Sequence, residues 1–124
     1  MQALPKNKEE QIDIFSEELL REKAAVLARA GFAVENALAK LEKINQQYEY
    51  KIQHLQNIQK DRRHRQSIFE EINAIIDQFN TACRKADLQY YYLIVTREAM
   101  GLRRHQTVEQ IYRIPPKKNK VQEF

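Results

Sequence analysis

The chain has 124 residues, 31% of them charged and 43% hydrophobic, with a formal net charge of +4, which fits one small domain with a modest core. Two glycines and three prolines are too few for a fold built on many tight turns, and six tyrosines and five phenylalanines in a regular apolar pattern argue against disorder. A single cysteine, Cys83, excludes an intramolecular disulfide and any multi-cysteine metal site, and its neighbours in "FNTACRKA" mark it as a small buried hydrophobe.

The N-terminal stretch "MQALPKNKEEQIDIF" has no continuous apolar run and does not read as a signal peptide. "YYYLIV", the longest strongly apolar stretch, is far shorter than the ~20 residues of a membrane span, so a cytoplasmic protein is expected. The first helix starts near Lys8. Asn7 and Glu10 have capping-box spacing, and Glu9 and Glu10 face the positive end of the helix dipole. Apolar positions begin at Ile12, Phe15 and Leu19.

From Leu20 a series runs through Ala24, Leu27, Gly31, Val34, Leu38, Leu41, Asn45, Tyr48, Ile52 and Leu55. Its intervals alternate four and three, the seam of a coiled coil. Gly31 sits in this series. "RAGFAVENA" offers no residue to cap a new helix directly after it, so a continuous helix over 8–59 is expected. The alternative is a compact three-helix bundle broken near Gly31.

The turn is placed at about 60–67, where Ser67 and Glu70 suggest a second capping box. A second helix over 68–100 follows, with Ile68, Ile72, Ile75, Phe79, Ala82 and Ala86 on one side. Residues 88–95 contain strand-prone Tyr, Ile and Val, but Tyr90, Leu93, Arg97 and Met100 fall at helical spacing, and helix is expected there. Gly101 and Leu102 fit the positions just beyond a helix C-terminus. Thr107 and Gln110 suggest a short helix over 107–113, stopped by Pro115 and Pro116. Residues 1–114 then form one helical domain, and 115–124 read as a basic flexible tail.

The expected fold is all-α: a long antiparallel helical hairpin, coiled-coil-like, with a short C-terminal helix. A first helix longer than the second leaves an apolar overhang. Ile12, Phe15, Leu19, Leu20, Leu27, Gly31 and Val34 are therefore candidate oligomer-interface residues, and a dimeric bundle whose first helices cover each other's overhang is expected.

Residues 1–59 hold eight Lys/Arg against nine Asp/Glu, whereas 60–124 hold thirteen against eight. The excess positive charge clusters at Lys60, Arg62, Arg63 and Arg65, at Arg103 and Arg104, and at Lys117 and Lys118 with Lys120. These are candidate contacts for an anion or a partner, but a hairpin puts the first two clusters at opposite ends. No phosphate-binding loop, no paired Glu–His metal motif and no acid–base–nucleophile set occurs, so no catalytic, cofactor or metal residue is assigned. The sequence supports a non-enzymatic interaction or scaffolding protein, a homodimer that binds an unidentified protein. A small basic protein contacting nucleic-acid phosphates is the alternative.

Overall fold

The structure, a computed structural model, describes residues 7–57 and 62–121. It is all-α: α1 (Lys8–Asn57), α2 (Arg62–Ala99) and the short α3 (Gln106–Ile111). At 1.5 Å per residue α1 is about 75 Å long and α2 about 57 Å. Asn7 caps α1, its Oδ1 accepting from the Glu10 N–H at 2.9 Å.

α1 and α2 pack antiparallel through a core that changes character along its length. Next to the α1–α2 connection, Ile68, Ile72 and Ile76 of α2 lie against Tyr48, Ile52 and Leu55 of α1. Lys51 and Glu71 tie the two helices there with a 2.7 Å ion pair. In the middle Leu41 and Ile44 meet Phe79, Ala82, Cys83 and Ala86. At the far end Val34 packs with Leu93 and with Val108 of α3, flanked by Ala30, Tyr90 and Tyr112. Val34, Leu38, Leu41, Tyr48, Ile52 and Leu55 of the seam thus pack with α2, and 88–95 is helix throughout.

α1 passes through Gly31 without interruption, so the broken-helix bundle is not the fold. A Cβ built on Gly31 would stand 3.3 Å from the Tyr112 hydroxyl. The glycine is a place of close approach, not a bend.

Two starts differ from the sequence expectation. α2 is already helical at Arg62, which leaves Ser67 exposed inside it. Arg and Gln are good helix formers, and a Ser–Glu pair signals a cap only where the chain before it leaves the helix. α3 begins at Gln106 after His105, whose side chain makes no capping bond, so Thr107 caps nothing. The end of α2 follows expectation. Gly101 has φ 86°, the Leu102 N–H reaches the Arg97 carbonyl at 2.9 Å, and the Gly101 N–H reaches the Glu98 carbonyl at 3.0 Å. These paired bonds are a Schellman motif.

The larger correction concerns the tail. Of the tail expected over 115–124, residues 122–124 lie outside the described residues, and 115–121, with Ile114 before them, are not loose but lie along the hairpin. Ile114 packs on the middle core and Val121 on the cluster nearest the connection. The tail contributes what composition hides, two apolar anchors separated by prolines and lysines, and α2 contributes side-chain amides that bond its backbone.

Candidate functional site

The tail occupies a groove between α1 and α2. On the α2 wall, Asn80 Nδ2 donates to the Lys118 carbonyl at 2.9 Å, and the Lys118 N–H donates to Asn80 Oδ1 at 2.8 Å. Asn73 repeats the arrangement on Val121, at 3.1 and 2.9 Å. Seven helical residues between the asparagines advance about 10.5 Å, and three residues of polyproline II advance about 9.3 Å and bring the same edge back round. The amides therefore match an extended chain running antiparallel to α2.

Contacts with α1 agree. The Tyr112 hydroxyl donates to Glu35 Oε1 at 2.9 Å, and Lys118 lies over Tyr48. From 35 to 48 α1 rises about 19.5 Å, which six tail residues cover at ~3.3 Å each, a fully extended rise.

Lys118 is held from two sides. Its Nζ lies 4.3 Å from the Tyr48 ring centroid and 4.6 Å from that of Phe79. A cation between two ring faces gains from both quadrupoles. Between the anchors the Cys83 thiol donates to the Pro115 carbonyl at 3.6 Å. Burial, then the nearby Asp87 carboxylate, pushes the Cys83 thiol pKa up, which keeps it a protonated donor.

The α1 wall is acidic. Glu35, Glu42 and Glu49 stand one heptad apart, and Glu42 and Glu49 line an open cleft of about 710 Å³ whose other side includes Arg113, Pro116 and Lys117. Neither Glu42 nor Glu49 is ion-paired among the described residues. The nearest lysine pairing in the tail is Lys120 with Asp77 of α2, at 3.7 Å.

The basic clusters are dispersed. Lys60 lies outside the described residues. Arg62 and Arg63 are exposed near the start of α2, and Arg65 lies 5.9 Å from the Phe69 ring. Arg103 and Arg104 are exposed beyond the other end of α2, about 57 Å away. Lys117 borders the cleft and Lys118 is spent on the two rings, so these residues do not converge on one anion.

Of the apolar set named from sequence, Val34 is fully buried by its own chain and Gly31 faces Tyr112. Leu27 is half-buried. Ile12, Phe15, Leu19 and Leu20 remain 62%, 67%, 52% and 66% exposed. Sequence reasoning missed Asn73, Asn80, Tyr48 and Phe79 as a group. The heptad spacing of the two asparagines beside a core stripe was the available signal.

Among the described residues there is no cluster of three His, Cys, Asp or Glu able to hold a metal, and no fully buried polar side chain. No described helix is long and apolar enough to cross a membrane. His105 serves its loop: Arg97 Nε donates to its Nδ1 at 3.2 Å and its Nε2 meets Glu98 Oε1 at 3.2 Å. Compared with family models, curated proteins and solved structures, the chain matches none.

Proposed function

We propose that this protein acts by binding, as a helical scaffold that self-associates through the overhang of α1. The observation that carries this reading is the uncovered face of Ile12, Phe15, Leu19 and Leu20, beyond the reach of α2. Contiguous apolar exposure of that kind marks an interaction surface.

Charge favours a particular pairing. Residues 8–23 hold six Asp/Glu against three Lys/Arg, so two overhangs laid on each other repel. Residues 84–104 hold five Lys/Arg against two Asp/Glu, and there Leu88, Tyr91, Tyr92 and Val95 form an exposed apolar stripe at helical spacing. Each overhang suits the far end of the other copy's α2 in a two-fold arrangement.

Half-exposed side chains of this size gain about 1–2 kcal/mol each on full burial, so the four overhang and four stripe residues of each copy, sixteen across a two-fold dimer, gain roughly 16–32 kcal/mol. That exceeds the ~4–15 kcal/mol lost on association and leaves room for the ordering of side chains and of the overhang.

The test is mass in solution against concentration, for the wild type and for Phe15→Glu. The wild type is expected to pass from monomer to dimer across the micromolar range and to dissociate with added salt. Phe15→Glu is expected to stay monomeric with its helical signal intact. A wild type that remains strictly monomeric throughout would rule the proposal out.

A further inference from the structure

The groove reads the tail position by position. An asparagine that binds both the N–H and the C=O of one residue recognises backbone whatever the side chain, and Asn80 does this to the same residue whose ammonium Tyr48 and Phe79 enclose. Three residues on, Asn73 repeats the backbone contact where Val121 enters the isoleucine cluster. Four residues before the lysine, Ile114 fills the middle core. Together these contacts specify an extended segment with an aliphatic residue, then a lysine four positions on, then an aliphatic residue three further.

Among the described residues, the tail leaves two carboxylates beside the groove to solvent alone. Glu42 and Glu49 face the cleft without a cation, although Arg113 and Lys117 border it. An attached tail competes at an effective concentration of millimolar order. The identical tail of a second copy gains no contact and forfeits that advantage. A different segment whose basic side chains reach Glu42 and Glu49 adds charge-complementary contacts that the tail does not make.

We infer that the α1–α2 groove is a docking site for an extended, lysine-bearing basic segment of a partner protein, with the chain's own tail as its built-in competitor. This rests on the binding reading above but not on the dimer. Phe15→Glu alters the overhang and leaves the groove intact, so the two can fail separately.

The probe is a fluorescently labelled synthetic peptide, YRIPPKKNKV, titrated by anisotropy against the full chain. Lys118→Pro in the protein removes both the N–H that Asn80 accepts and the caged ammonium, and so releases the tail without touching the groove. Val121→Asp is a second release variant. Faster reaction of Cys83 with a thiol reagent reports release, because Pro115 then leaves the sulfur.

The peptide is expected to bind Lys118→Pro about tenfold or more tighter than the wild type, whose groove is free only a small fraction of the time. Glutamine at the peptide's caged lysine, or Asn80→Ala added to Lys118→Pro, should remove most of that binding. Pro116→Arg in the peptide, at the position that borders the cleft, should tighten binding and make it salt-sensitive, a gain that Glu42→Gln with Glu49→Gln removes; no gain would overturn the assignment to a more basic partner segment. The inference fails if the released variants do not bind the peptide, or bind it equally well without Asn80. It also fails if neither variant exposes Cys83, since the tail is then a fixed part of the fold. Mixed dimers formed by wild-type tails entering Lys118→Pro chains, in the Phe15→Glu background, would assign the groove to a second copy and overturn the partner assignment.

Discussion

A methyl group added at Gly31 and one added at Gly101 meet opposite circumstances. At Gly101 there is open space, but the backbone has φ 86°, which costs an L-residue about 1–2 kcal/mol. Gly101→Ala should destabilise by that amount in chemical denaturation and loosen the Leu102–Arg97 bond that closes α2. At Gly31 the backbone is helical, so alanine gains up to ~1 kcal/mol of propensity, against a contact 3.3 Å from the Tyr112 hydroxyl. The decisive comparison is a double-mutant cycle. Gly31→Ala should be stabilising by about 1 kcal/mol in a Tyr112→Phe background, where the crowding oxygen is gone, and by clearly less in the wild type. Equal effects in both backgrounds would mean that Gly31 and Tyr112 are not in contact in solution.

The same hydroxyl makes the tail sensitive to alkali. Its hydrogen bond to Glu35, and secondarily burial, raises the Tyr112 pKa above the ordinary 10.0. Burial, and then the Glu109 charge, acts in the same direction on Tyr90. A pKa raised on folding means stability that is fully present below the unfolded value and lost as pH rises through the folded one. Wild-type stability should therefore fall as pH rises above about 10, and Tyr112→Phe should show a smaller fall, Tyr90 still contributing. An identical alkaline profile for the two proteins would exclude the Tyr112–Glu35 bond as a working contact.

At this scale the sequence was uneven in what it disclosed. The α1 seam, the helical character of 88–95 and the closing glycine of α2 were legible, because period and backbone preference are local. Ser67 and Thr107 misled because a capping pair has meaning only if the preceding residues are not helical. The docked tail left only a faint trace, the seven-residue spacing of Asn73 and Asn80. "PPKKNK" has a loop composition, and its order comes from Asn73 and Asn80, 38 to 48 residues away in sequence. A lone asparagine on a helix face carries no mark that it will bond a distant backbone.

Over the whole molecule, length mismatch between the helices creates two regions of different stability. The part of α1 packed on α2 and the tail is held by the core, whereas residues 8–22 have no buried or half-buried member. Isolated helices shorter than about 12–15 residues are marginal in water, so this stretch should fray in a monomer. Amide hydrogen exchange separates the cases. In Phe15→Glu, amides of 8–22 should exchange with little protection, while those around Leu41, Ile72 and Phe79 exchange only through global unfolding. In the wild type, protection of 8–22 should rise with protein concentration, together with that of 88–95 if the far end of α2 receives the overhang. Protection of 8–22 that rises without 88–95 would relocate the contact to overhang against overhang, despite their shared negative charge. Protection that is high and independent of concentration in both proteins would mean that the overhang is stable unaided, and the exposed Phe15 face would lose its standing as an argument for association.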